Sequence, residues 1–160
     1  MIKYFDGNCT ETNTAPLLEL ASVISKSFMT VAKEYTITPR NAPTNPAFIT
    51  SDKIALSIDN GSEYWAFYDN NQNIVGCVSI SPSISENVFF IERLAVLPKY
   101  RHQGIGKELL NYACDEIKKR NANVVRIGII NENIILKKWY MDYGFEEIQI
   151  KKVDKLPFVI

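Results

Sequence analysis

Apolar positions along this chain change their spacing several times, and each change marks an element. Ile2–Phe5 reads as a short strand followed by a polar stretch. From Pro16 to Glu34, Leu17, Leu18, Ala21, Ile24, Phe28, Val31 and Ala32 recur at helical intervals, with Pro16 suited to a first helical turn. Thr36–Pro46 carries three prolines and reads as a surface loop. A second helix is predicted over Ser51–Asn60, stopped by Gly61. The period then shortens. Tyr64–Tyr68 and Ile74–Ile80 flank Asp69-Asn70-Asn71-Gln72-Asn73, a hairpin signal, and Asn87–Val96 is a third strand ended by Pro98. A helix over Gly104–Asn121 places Ile105, Leu109, Leu110, Ala113 and Ile117 on one face. Val124–Ile130 is a strand, Glu132–Tyr143 a helix stopped by Gly144, Phe145–Val153 a strand, and Leu156–Ile160 a candidate last strand.

This order implies an α/β (α+β) fold in a single domain over residues 1–160. Asn87–Ile130 has the size of a βαβ crossover, so its two strands should be parallel neighbours. The hairpins around it should be antiparallel. The expected architecture is a mixed, mostly antiparallel sheet with helices on both faces and a central parallel βαβ unit.

Composition narrows the function classes. Of 160 residues 46% are hydrophobic, enough for a sizeable core, and 18 basic residues balance 18 acidic ones. Nucleic acid and anionic membranes usually select a basic surplus, so neither is an expected partner. Cys9, Cys77 and Cys114 are an odd, widely spaced set without a C-x-x-C pair, and His102 is the only histidine. That leaves no pattern for a metal site and suits idle thiols in a reducing, cytoplasmic setting. The opening residues lack the apolar core of a signal peptide, and the uninterrupted apolar runs are too short to span a bilayer. The oligomeric state stays open, a homodimer included.

The chemistry concentrates in Leu94-Ala95-Val96-Leu97-Pro98-Lys99-Tyr100-Arg101-His102-Gln103-Gly104-Ile105-Gly106-Lys107. An apolar strand runs through a glycine-bearing turn directly into a helix. The first backbone N–H groups of that helix have no internal acceptor, and the helix dipole adds partial positive charge. Gly104 and Gly106 put no side chain in the way of an anion approaching those groups. Glycines that merely shape the turn would look the same. A dinucleotide fingerprint is excluded because Leu109 stands where its third glycine would be, and a Walker loop is absent.

Arg101-His102-Gln103-Gly104-Ile105-Gly106 resembles the R/Q-x-x-G-x-G/A signature of the GNAT superfamily of acyl-CoA-dependent N-acyltransferases. Glu92-Arg93-Leu94-Ala95-Val96-Leu97-Pro98 looks like that family's fourth strand. Asn133 and Tyr140-Met141-Asp142-Tyr143-Gly144-Phe145 resemble its second motif, N-x-x-A-x-x-x-Y-x-x-x-G-F, with Leu136 in place of the alanine. The resemblance implies a GNAT-like fold with acetyl-CoA as cosubstrate and no metal. It implies that the pantetheine arm lies between two splayed strands and pairs with backbone along Leu94, Ala95 and Val96. It also implies that the N–H groups from Gln103 to Lys107 (Gln103, Gly104, Ile105, Gly106, Lys107), behind Arg101 and His102, hold the pyrophosphate. Asn133 would bond the pantetheine or phosphate region.

The reaction so implied is direct acetyl transfer to a primary amine, on a small molecule or a protein, since no serine, cysteine or histidine group marks a covalent nucleophile. A backbone N–H near Val96 would serve the oxyanion, and Tyr140 would protonate the departing thiolate. Tyr140 could instead belong to an aromatic packing face with Trp139 and Tyr143. Glu92 is the available base. It could equally be held in an ion pair with Arg93 or with a lysine of another strand. In a regular strand Glu92, Leu94 and Val96 share one face and Arg93 takes the other, which disfavours the Arg93 pair. His102, inside the loop, reads as solvent-facing. A non-catalytic acyl-CoA-binding module and a nucleotide-binding fold using the same anion nest are the rival readings. The acceptor pocket would come from Phe28–Gly61, and the absence of a carboxylate from Thr36–Pro46 weakens a polycationic acceptor.

Overall fold

The computed structural model describes residues 1–5, 14–84 and 87–152. Five strands, β1 (Ile2–Phe5), β2 (Glu63–Tyr68), β3 (Ile74–Pro82), β4 (Val88–Val96) and β5 (Val124–Arg126), form one sheet in the order β1-β2-β3-β4-β5. The first three pairings are antiparallel, and β4 runs parallel to β5 across the α3 crossover, as the spacing requires. The β2–β3 turn is built by Asp69, whose Oδ1 accepts from the N–H groups of Asn71 and Asn73 at 2.9 and 3.0 Å.

Helices α1 (Ala15–Glu34) and α2 (Ser51–Asp59) cover one face, and α3 (Ile105–Lys119) with α4 (Ile134–Tyr143) covers the other. On the first face Leu17, Leu20, Val23 and Ile24 of α1 and Ile54 of α2 pack on Phe5, Tyr64, Ala66 and Cys77. On the second, Ile105, Leu109, Leu110, Ala113 and Ile117 pack on Trp65, Val75, Val78, Ile80 and Ile91. All five α3 positions are those the heptad-like spacing predicts. By length and composition α1 could cross a bilayer, but its apolar stripe is spent on the sheet. Leu18, expected on that stripe, is 56% exposed.

Two expected strands are corrected. Val124–Ile130 pairs only through Arg126, because the β4–β5 ladder ends at Phe90↔Arg126. Phe145–Val153 forms no ladder over its described residues beyond a bridge position at Lys152. There the alternation is present, but Ile148 and Ile150 are 74% and 54% exposed, so no facing layer rewards pairing. The candidate strand Leu156–Ile160 and Cys9 lie outside the described residues.

Candidate functional site

The turn before α3 is forced into left-handed backbone twice, at His102 (φ 61°) and at Gly104, the helix N-cap (φ 84°). No side chain caps α3. Its first internal bond runs from Glu108 N–H to Gly104 C=O at 3.0 Å, so the N–H groups of Ile105, Gly106 and Lys107 precede the ladder. His102, Gln103, Gly104 and Lys107 are exposed, and Ile105 is buried as the anchor of the helix start. A Cβ at Gly104 would meet nothing within 4 Å, and one at Gly106 would lie 3.8 Å from Val96 Cγ2. The concavity is open, polar in backbone and unobstructed, as an anion nest requires.

The turn is tied down on both sides. Tyr100 Oη donates to Asp69 Oδ2 at 3.0 Å, fixing it to the β2–β3 turn. Arg101 donates through Nε to Val96 C=O at 3.2 Å and through Nη2 to Ser27 C=O at 2.7 Å and Thr30 Oγ1 at 3.0 Å. Its guanidinium is therefore spent joining β4, the nest and α1, and burial lowers its pKa from the usual arginine value. The side chain thereby ties the nest to β4 and to α1.

The strand before the nest is bulged. Ala95 faces Cys77 and Glu92 faces Ser79, so Arg93 and Leu94 together oppose Val78 alone. Arg93 takes φ 50°, left-handed backbone that a non-glycine residue adopts at a cost of about 1 kcal/mol or more. Directly paired residues share a face, which places Glu92 with Ser79 and Ala95 on the α1/α2 side. Leu94 and Val96 pack on the α3 side. The expectation that Glu92, Leu94 and Val96 share a face is thereby overturned, and so is the objection to an Arg93 pair: Arg93 Nη1 lies 3.4 Å from Glu92 Oε2. Glu92 Oε2 also accepts from Ser81 Oγ at 3.0 Å, and the Glu92 side chain stays 47% exposed.

Just before the bulge, at Phe90, β4 loses β5. From Ile91 to Val96 the β5-side edge has no strand partner among the described residues. This open edge runs into the nest, as the adjacency of Val96 and Gly106 shows.

Helix α4 follows from its own motif. Asn133 Oδ1 accepts from Leu136 N–H at 3.1 Å, so the asparagine expected at the cofactor is the helix N-cap, and only its Nδ2 is left for another partner. Gly144 ends the helix at φ 117°, and the N–H groups of Gly144 and Phe145 return to Tyr140 C=O at 3.2 and 3.0 Å. That return puts the Phe145 ring 5.5 Å from the Tyr140 ring, edge to face, with Trp139 at 4.8 Å on its neighbour. Tyr140 is 8% exposed and burial pushes its pKa well above the usual phenol value. Its hydroxyl bonds to none of the described residues, yet no fully buried side-chain polar atom among them lacks a partner, so the hydroxyl is the part of the ring that reaches open space. The aromatic packing face and a free phenol are thus both present.

The α3-side cluster unites Tyr140 and Ile105 with Leu94 and Val96, while Glu92 lies across the sheet. A cavity of about 440 Å³ beside the nest is lined by Lys107, Asn111, Trp139, Asp142 and Tyr143. Sequence reasoning missed three contributors. Gly76 is needed because a Cβ there would sit 2.8 Å from Ala95 C=O, and an interior strand glycine is the available signal. Ser81 and the bulge at Arg93 leave none, since neither is marked by glycine or proline.

Residues 26–145 match the model of the acetyltransferase (GNAT) family. The [ribosomal protein bS18]-alanine N-acetyltransferase of Haemophilus ducreyi is 28% identical over 85 residues, 53% of this chain and 57% of that protein's length. The match thus spans less than two thirds of that relative. Among solved structures, the PaiA N-acetyltransferase of Thermoplasma acidophilum in complex with coenzyme A superposes with TM-score 0.66 at 19% identity, covering 99% of this chain and 96% of that one. A GNAT family acetyltransferase of Elizabethkingia anophelis with acetyl-CoA bound gives TM-score 0.58 at 26% identity, covering 64% of this chain and 65% of the other. This chain belongs to the acetyltransferase (GNAT) family.

Proposed function

From that membership we infer that the chain transfers an acetyl group from acetyl-CoA directly to a primary amine. The observation that carries the reading is the continuity of β4's open edge with a glycine-capped nest at the start of α3. The N–H groups from Gln103 to Lys107 hold the pyrophosphate, and backbone along Leu94–Val96 pairs with the pantetheine arm as an added strand would. The cavity at Trp139 and Lys107 receives the nucleoside end. The Elizabethkingia relative, crystallised with acetyl-CoA, supports the choice of ligand.

Transfer needs a bond from the amine nitrogen to the thioester carbonyl carbon, then loss of the C–S bond. A β4 backbone N–H near Val96 stabilises the oxyanion. Tyr140 Oη gives its proton to the departing thiolate; its raised pKa keeps it protonated at neutral pH, when a donor is required. Glu92 takes the amine's proton from the opposite side of the sheet, through water where it does not reach directly. The acceptor is a small molecule or a protein amine, and the Haemophilus relative's name concerns a protein alanine.

The test is thiol release from acetyl-CoA against a panel of amines, with the acetylated product identified by mass and coenzyme A binding measured by calorimetry. Turnover with micromolar to submillimolar KM is expected. Binding without turnover would leave an acyl-CoA-binding module. Equal competition by ATP and coenzyme A would mean that only the anion nest is used.

A further inference from the structure

Glu92 and Arg93 are consecutive, yet the bulge turns both onto the α1/α2 face. The Arg93 guanidinium lies over the Tyr64 ring, 5.7 Å from its centroid, and its side chain is 20% exposed. Among the described residues its five N–H donors form one hydrogen bond, the 3.4 Å contact to Glu92. That bond is long and its acceptor is half exposed, so opening it costs little. Arg93 is therefore a held cation with most of its hydrogen-bonding capacity unused, beside the carboxylate assigned to the amine. Its left-handed backbone would be relieved by glycine, and strain of this kind gathers where a side chain must be aimed.

Charge decides what can approach. A polyamine or a lysine side chain nearing Glu92 would meet the Arg93 guanidinium at the same time and be repelled. An acceptor whose amine stands next to a carboxylate meets both charges with the right signs. We propose that Arg93 is an acceptor-specificity residue and that the acceptor is a small amine bearing its own carboxylate, of the amino-acid class. Resting on the acetyltransfer reading, this assigns the acceptor's ammonium end to Glu92 and its carboxylate to the planar guanidinium, in the two-bonded geometry arginine favours. Tyr64 holds the guanidinium plane, and Ser57, hydrogen-bonded to Tyr64 Oη at 2.9 Å, holds Tyr64.

Steady-state kinetics with acetyl-CoA and matched pairs, free amino acids and their carboxamides, test this in wild type, Arg93→Gln and Arg93→Lys. Wild type should favour the acids over the amides by about tenfold or more in kcat/KM, the scale of one charge-assisted pair. Arg93→Gln should abolish that preference by raising KM for the acids, with kcat little changed, and Arg93→Lys should restore part of it. Equal losses on acids and amides would make Arg93 structural and overturn the proposal. So would a wild-type preference for amides or peptide N-termini. Coenzyme A binding, measured on each variant, separates the two levels. Binding without turnover of any pair overturns the acceptor assignment alone, whereas absent binding in wild type overturns the acetyltransfer reading as well.

Discussion

The two faces of the sheet are made of different materials. The α3 face is dry: its buried cluster is aliphatic and aromatic, and its one titratable member assigned to chemistry, Tyr140, is kept neutral by burial. The α1/α2 face admits polar groups into the layer, with Ser27 and Ser79 buried at 4% and 0% exposure and Glu92, Arg93 and Ser81 clustered at the bulge. The first face suits a ligand recognised through backbone and shape, the second a ligand recognised through side-chain charge. If the division is real, changes on the α3 face should alter cofactor binding and the departure of thiolate, and changes on the other face should alter the acceptor.

The largest effect is expected from Tyr140→Phe. The ring and its contacts with Trp139 and Phe145 remain, so folding and coenzyme A affinity should hold. Turnover should fall by roughly a hundredfold or more, the usual scale for a general acid. Wild-type turnover would return Tyr140 to the packing face and remove the chemistry from this side of the sheet.

Next come the two glycines, which the structure separates. Gly104→Val places a side chain in the mouth of the nest and on left-handed backbone, so coenzyme A affinity should drop at least about tenfold, with about 1–2 kcal/mol of stability lost. At Gly106 a methyl group makes only an ordinary contact with Val96. Gly106→Ala should therefore keep coenzyme A affinity and raise stability by up to about 1 kcal/mol, because glycine is a poor helix former. Calorimetry and thermal melts read both. Intact binding in a folded Gly104→Val variant would dismiss the nest.

The contrast between faces also explains what was legible in the sequence. Backbone recognition needs glycine at fixed spacing and a strand entering a helix, so Arg101–Gly106 and Tyr140–Phe145 announced themselves. The α3 stripe was legible because one helix packs on one layer. The sequence did not reveal where strands stop. Val124–Ile130 has the apolar content of a strand, but its pairing ends at Phe90, shortly before β4 bulges at a residue no propensity rule would choose. For the same reason the strand-parity argument put Glu92 on the wrong face. The ties of Arg101 were not legible either: its partners on α1 lie 74 and 71 residues away, a separation no local pattern encodes.

A smaller effect is expected on the polar face from Glu92→Gln, which keeps shape and removes charge. Turnover should fall about tenfold, less than is usual for a general base, because the side chain is half exposed and water can take the proton instead. Coenzyme A affinity should not change. Unaltered kinetics with a lower melting temperature would make Glu92 a partner of Arg93 and Ser81 only.

The smallest effect at working pH, and the one that compares the two faces within a single titration, is the alkaline loss of stability. Burial raises Cys77 to about 12 and Tyr64 above its usual value on the α1/α2 face, and raises Tyr140 on the other. In each case the folded pKa lies above the unfolded one, so near pH 10 the unfolded chain has released protons that the folded chain retains. Stability is then complete below the unfolded values, about 8.5 for cysteine and 10 for tyrosine, and declines as pH rises towards the folded ones. Because cysteine titrates first, the two thiols that burial raises, Cys77 on the polar face and Cys114 on α3, should set the onset. Denaturant melts from pH 7 to pH 11 should show little change to about pH 8.5 and a progressive fall beyond it. Cys77→Ala should lessen the early fall, and Cys77→Ala combined with Cys114→Ala should move the onset up by about one pH unit, to where the tyrosines begin. An onset that stays put in the double variant would mean that these thiols do not govern the alkaline limit.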